Sequence, residues 1–295
     1  MKNFFTSRPL FSRNLSININ GQILDLSVPK VMGIINTTPD SFYPGSQIPD
    51  PAKALETSRE MISSGASILD IGAVSSRPGA EEVSLDEELK RLSPVLEALR
   101  SEFPDFPISV DTWRSEVARY VHQHYGVGMI NDISAGSFDS KMFPTISELG
   151  IPYVMMHMQG TPDSMQDSPK YENVVDELLQ FFGERVQMLR KRGVNDIIID
   201  PGFGFGKTIE QNYRLLHYLD SFQMMELPLM VGVSRKSMIY KELDLKPDEA
   251  LNGTTAAHMA ALLKGASLLR VHDVKEAVET VKIFQQIVES RSSKV

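Results

Sequence analysis

The sequence predicts an α/β fold, a (β/α)8 TIM barrel with an N-terminal β-hairpin, and three observations predict it. Eight short apolar runs alternate with eight stretches of helical period within 295 residues. Each apolar run stops at a polar residue or a glycine. No linker or low-complexity tract interrupts the alternation, so residues 15–295 read as a single domain behind an N-terminal tail at 1–14. So many strand–helix repeats in this length favour a closed barrel over an open sheet.

The elements follow in order. Residues 15–26 alternate apolar and polar on both sides of Asn20-Gly21, which is a hairpin signal, and this hairpin is placed under the barrel's bottom. The strand runs are 31–35, 67–71, 108–110, 128–130, 152–156, 196–199, 228–233 and 266–269. Helical period occupies 52–64, 85–101, 115–124, 141–149, 171–192, 210–219, 248–264 and 274–288. Within 171–192, Glu177, Leu178, Phe181, Phe182, Val186 and Leu189 show the spacing of a one-sided apolar stripe, the mark of packing rather than of a site. The charged end after Ser290 reads as a solvated, frayed terminus.

Composition narrows the function. A net charge of -8 argues against a nucleic-acid surface or a basic membrane patch, while leaving room for a local cationic cluster facing a small anionic substrate. With no cysteine, thiolate nucleophiles, disulfides and Cys-ligated zinc are excluded. Neither a signal-peptide core nor a run of membrane-spanning length is present, so the expected location is cytoplasmic.

Asn36, Asp111, Asn131, His157, Asp200, Lys236, Arg270 and His272 each stand at or just past the carboxyl end of an apolar run. In a (β/α)8 barrel those ends meet at one mouth, where active sites are built. Singly, each residue also suits a turn or a helix cap. Together at one rim they point to a site. The stretch Asp200-Pro-Gly-Phe-Gly-Phe-Gly-Lys207 places a carboxylate above an apolar core, fenced by glycines and two phenylalanines. That setting suits a flat, hydrogen-bonding ligand, and the glycine spacing matches neither phosphate-loop pattern.

Several longer segments carry a resemblance. Met32-Gly-Ile-Ile-Asn-Thr-Thr-Pro-Asp-Ser-Phe42 resembles the first signature of the dihydropteroate synthases, within the pterin-binding enzyme family. Asp70-Ile-Gly-Ala-Val-Ser-Ser-Arg-Pro-Gly-Ala80 resembles the second. Ser109-Val-Asp-Thr112, Asn131-Asp-Ile133, Met156-His-Met-Gln-Gly160, the Asp200 stretch, Val231-Gly-Val-Ser-Arg-Lys-Ser237 and Arg270-Val-His-Asp273 follow in the family's order. The resemblance implies a (β/α)8 barrel, commonly a homodimer. It also implies joining of (7,8-dihydropterin-6-yl)methyl diphosphate to 4-aminobenzoate with release of diphosphate.

The resemblance also implies roles. Asp111, Asn131 and Asp200 would hold the donor-rich edge of the pterin, a task that carboxylates and an amide suit. Phe205 and Met156 would pack on its faces, with Gly204 and Gly232 allowing close approach. Lys236 would reach pterin and aminobenzoate together. Arg270 and His272 would face the departing diphosphate, and Lys236, Arg270 and His272 are the expected catalytic residues. Ser76, Arg77, Pro78, Phe42 and Ser237 would form the aminobenzoate site. Mg2+ is the expected cofactor, with Asn36 as its ligand.

This chain departs from the family pattern in two loops. Val74-Ser-Ser-Arg-Pro78 stands where Glu-Ser-Thr-Arg-Pro is usual, and Ser41-Phe-Tyr-Pro-Gly-Ser46 where Ser-Phe-Ser-Asp-Gly-Gly is usual. These changes bear on rate, loop closure and sulfonamide response, and leave the pterin pocket intact. Two rival readings are a folate-dependent corrinoid methyltransferase and a pterin-binding paralogue without synthase activity. His122 and His124 sit two apart in a helical stretch and so do not share a face for a metal, and Trp113 reads as packing.

Overall fold

The computed structural model describes residues 15–37, 50–75, 83–162, 164–165 and 169–292. Strands β1 (Ser16–Ile19) and β2 (Gln22–Asp25) pair antiparallel with Ile19 opposite Gln22. Asn20 and Gly21 both take positive φ, 51° and 84°, the geometry of a two-residue hairpin turn.

Eight parallel strands follow: β3 (Lys30–Asn36), β4 (Ile68–Gly72), β5 (Ile108–Asp111), β6 (Met129–Asp132), β7 (Tyr153–Met156), β8 (Ile197–Asp200), β9 (Met230–Val231) and β10 (Leu268–Val271). Their order around the sheet is β8-β7-β6-β5-β4-β3-β10-β9. A bridge between Ile199 and Leu229 closes the ring, with the Ile199 N–H donating to the Pro228 carbonyl at 3.1 Å.

Helices fill the connections: α1 (Pro51–Ser63), α2 (Leu85–Glu102), α3 (Ser115–Tyr125), α4 (Met142–Leu149), α5 (Val174–Arg190), α6 (Ile209–His217), α7 (Ser237–Tyr240), α8 (Leu251–Leu263) and α9 (Val274–Ser292). Local chemistry sets their ends. Asp50, Ser84 and Asn173 accept backbone N–H groups as N-caps, and Thr208 with Gln211 forms a reciprocal capping box. Left-handed Gly126 and Gly150 close α3 and α4.

Inside the ring, side chains lie in layers set by the two-residue period of a strand. Met32, Ile68, Met129, Val154, Ile198, Met230 and Leu268 form the lowest inward layer. The hairpin seals it from below with Ile17, Ile19 and Leu26, all buried. Gly128 permits this seat, because a Cβ there would stand 2.6 Å from a methyl of Ile19. The Asn20 side chain also donates to the Gly126 carbonyl at 2.7 Å. A second, larger apolar shell lies between the strands and the helices, and the α5 stripe of Leu178, Phe182, Val186 and Leu189 belongs to it.

Candidate active site

Two residues further along each of those strands comes the next inward position. The series Met32, Ile68, Met129, Val154, Ile198, Met230, Leu268 becomes Ile34, Asp70, Asn131, Met156, Asp200, Gly232, Arg270. The step from plug to site is therefore one period of the strand, and it exchanges an apolar layer for a largely polar one. β5 is offset: Ser109 pairs beside Asp70, and Asp111 beside Gly72 and Asn131.

Arg270 ties this layer together. Its Nε donates to Asp70 Oδ2 at 2.7 Å and its Nη2 to Asp111 Oδ2 at 2.8 Å. Asn131 Nδ2 donates to the same Asp70 oxygen at 2.9 Å. On the facing side Asp200 is buried, and its Oδ1 accepts the Gly202 N–H at 2.8 Å. A Cβ on Gly232 would lie 3.9 Å from Arg270 Cβ, Asp200 Oδ2 and Lys236 Nζ alike. The glycine thus leaves open the point where the Asp200 carboxylate and the Lys236 ammonium meet beside the stem of Arg270.

Lys236 precedes α7 and reaches back across the mouth. Its ammonium donates to the Phe203 carbonyl and stands 4.5 Å from the centre of the Phe205 ring. Burial lowers its pKa to about 8, with Arg270 adding to the effect and Asp200 and Asp111 opposing it. Asp111 is pushed up to about 7, first by burial and then by the neighbouring acids Asp70, Asp132 and Glu88, while Arg270 pulls the other way. Burial likewise raises Asp200. Burial thus works against the charge of both acids and of the lysine, a common property of sites that handle charge.

The remaining expected residues divide into three sets. Asn36 ends β3 with an exposed side chain, and its Oδ1 and the Asp111 side chain both border the bare Cα of Gly72. His272 lies exposed one residue past β10, its Nδ1 3.2 Å from Ser234 Oγ. The surrounding protein, and then Arg270, depress the pKa of that imidazole. Gly204 takes φ 80° under the Lys236 stem, Met156 is buried in the inward layer, and Ser237 opens α7 half-buried. Phe42, Ser76, Arg77 and Pro78 lie outside the described residues, as does Pro44.

Asp70 and Lys207 are among the buried, charged motif residues without an expected role. Asp70 is fully buried inside β4, where a single acid within Ile68-Leu-Asp-Ile-Gly72 was the available signal. Lys207 is buried too, and its ammonium contacts the carbonyls of Gly202 and Phe205 at 2.9 and 3.0 Å and His157 Nδ1 at 3.1 Å. Burial lowers Lys207 to about 7 and His157 to about 2. His157 therefore serves the loop as a neutral acceptor. His122 and His124 bond to the carbonyls of Val127 and Tyr120, and Trp113 packs edge-on to Phe138.

Comparison with known proteins follows the same lines. Residues 32–272 match the family described as pterin binding enzyme. The dihydropteroate synthase of Escherichia coli (strain K12) is 43% identical over 276 residues, covering 93% of this chain and 97% of its own. Among solved structures, Yersinia pestis dihydropteroate synthase in complex with a sulfonamide drug superimposes with a TM-score of 0.87 at 41% identity, covering 93% of this chain and 99% of that one. The Xanthomonas albilineans enzyme with 4-aminobenzoic acid gives 0.86 at 38% identity, covering 93% and 98%. By fold, by the inward layer of acids and cations, and by likeness along nearly its whole length, this chain belongs to the pterin-binding enzyme family, among the dihydropteroate synthases.

Proposed function

We propose that the protein condenses (7,8-dihydropterin-6-yl)methyl diphosphate with 4-aminobenzoate, giving 7,8-dihydropteroate and diphosphate in folate biosynthesis. The observation that carries this reading is the meeting of Asp200, Lys236 and Arg270 beside Gly232, with Asp111 hydrogen-bonded to Arg270 and Asn131 joined to Arg270 through Asp70. Carboxylates and an amide accept the paired N–H donors of the pterin edge. Phe205 and Met156 bound the ring's faces, and Lys236 bridges the region between pterin and arylamine.

The bond that breaks joins the pterin methylene carbon to the diphosphate oxygen. Its electron pair leaves with the diphosphate, and the neutral arylamine nitrogen gives its lone pair to the same carbon and releases a proton to water. Such an amine needs no strong base, so the protein's part is positioning and charge stabilisation. Arg270 and His272 face the leaving group. Arg270 Nη1 has no partner among the described residues, and diphosphate binding would protonate His272 more readily by adding negative charge beside it.

Mg2+ fits this chemistry as a guest of the diphosphate. Among the described residues no group of three His, Asp or Glu side chains is gathered for a metal, whereas Asn36 offers one exposed amide oxygen at the mouth. Magnesium accepts such partial ligation, completing its shell with water and phosphate oxygens. Asn36 would hold it, and the ion would supply charge neutralisation on the diphosphate.

Ser76, Arg77, Pro78, Phe42 and Ser237 complete the proposed aminobenzoate site. Action in the cytoplasm as a homodimer completes the reading. Leu263 on α8 and Ile283 and Ile287 on α9 are exposed apolar side chains that support self-association. No helix among the described residues is long and apolar enough to cross a membrane.

Mixing the pterin diphosphate with enzyme, with and without Mg2+ and aminobenzoate, while following diphosphate release tests the whole. Release that needs aminobenzoate is the expected result. Binding without release would favour the non-catalytic paralogue, and methyl transfer from a folate to a corrinoid protein would favour the methyltransferase.

A further inference from the structure

Asp70 takes no part in the chemistry above, yet it lies at the centre of the site's wiring. It is fully buried in the middle of β4, beside Ile34 of β3 and Ser109 of β5. One oxygen, Oδ2, accepts from both Arg270 Nε at 2.7 Å and Asn131 Nδ2 at 2.9 Å. The other, Oδ1, is buried with no hydrogen-bond partner among the described residues. A carboxylate placed only to stabilise the barrel would be fully satisfied or replaced by an apolar side chain, since a bare buried acceptor is costly.

We infer that Asp70 is a positioning residue that sets Arg270 against the diphosphate and Asn131 against the pterin at the same time. The inference rests on the dihydropteroate synthase reading. Arg270 and Asn131 arise from β10 and β6, which are not neighbours in the sheet, and Asp70 is the acceptor they share. The contact to Nε fixes the plane of the guanidinium, which decides where Nη1 and Nη2 point, because that group is rigid and planar. The contact to Nδ2 fixes which end of the Asn131 amide turns to Asp70, so its carbonyl oxygen remains for a donor on the ligand. One carboxylate thereby orients a cation for the leaving group and an acceptor for the heterocycle.

The test is a comparison of Asp70→Asn, Arg270→Gln and the double variant. Three quantities are read: inhibition by inorganic diphosphate, KM for the pterin diphosphate and kcat, with thermal midpoints recorded separately. Wild-type inhibition by diphosphate that is weakened in Arg270→Gln establishes the reading of Arg270. Asp70→Asn is then expected to weaken diphosphate inhibition and raise pterin KM, each by about tenfold or more. The double variant should inhibit no more weakly than Arg270→Gln alone, because Asp70 acts on diphosphate only through Arg270. It should still show the raised pterin KM that comes through Asn131. If Asp70→Asn does not fold, the double, which removes both charges, decides the matter on those same two comparisons. Diphosphate inhibition and pterin KM within twofold of wild type in Asp70→Asn overturn the inference, whatever happens to the thermal midpoint. Inhibition unchanged in Arg270→Gln overturns the assignment of Arg270, and the inference falls with it.

Discussion

At the scale of single residues, the site is governed by groups whose burial works against their charge. Asp111 holds its proton up to about pH 7 in the folded protein, against 3.8 for an ordinary aspartate, with burial the leading cause. The folded state therefore binds a proton that the unfolded chain has already lost, and this group's contribution falls as pH rises from about 4 to about 7. Asp111→Asn abolishes the titration. Its midpoint relative to wild type should consequently rise between pH 4.5 and pH 8, which thermal melts at the two values will check. Lys236, lowered to about 8, sets the other limb. The proposed roles require both groups in charged form, so kcat/KM should rise near pH 7 and fall near pH 8. Lys236→Ala should lower it about 10²- to 10³-fold at pH 7.5 and remove the alkaline limb, as steady-state profiles would show. Much of this layer was legible in the chain, because Asn131, Asp200 and Asp111 each follow an apolar run directly. Asp70 and Lys207 were harder to read. Their meaning lies in partners far off in sequence, Arg270 being 200 residues from Asp70.

At the scale of elements, close approach of backbones fixes the loop that carries Phe205. Gly202 has φ 69°, and a Cβ there would lie 1.9 Å from the His157 carbonyl oxygen. Gly202→Ala should cost about 2 kcal/mol or more in chemical denaturation, through strain and the lost seat of the Asp200 carboxylate. Strand positions were readable from apolar runs, whereas element ends were set by chemistry that periodicity does not carry. β9 shrinks to Met230–Val231, since Pro228 brings no N–H and the chain turns away into Ser234-Arg235-Lys236. The helix expected over 171–192 begins at Val174, where the Asn173 side chain accepts the Val175 N–H. That expected over 248–264 begins at Leu251, after a single 3-10 turn at Pro247–Glu249. Residues 228–233 and 248–264 were read too long for the same reason: composition persists past the point where hydrogen bonding changes.

At the scale of the whole molecule, packing of the hairpin and the proposed packing between subunits are separable. Ile17→Ala removes a buried side chain from beneath the barrel and should cost about 2–5 kcal/mol in denaturant titrations. Ile283→Glu, on an exposed face of α9, should leave the unfolding midpoint of the protomer nearly unchanged while shifting sedimentation from the proposed dimer to a monomer. A variant that sediments as wild type would count against that face. Closure of the barrel was predictable from the number of repeats. Its filling was not, because the step from the Met32–Leu268 layer to the Asp70–Arg270 layer depends on register between strands, and single runs do not encode register.

The stoppered base has a kinetic corollary. With Ile17, Ile19 and Leu26 packed beneath the lower layer, the polar tier opens toward the carboxyl ends of the strands. Whatever rests on the lowest polar tier must arrive before its co-substrate and depart after it is uncovered. With the pterin on that tier, as proposed, initial-rate patterns should read as compulsory order with the pterin leading.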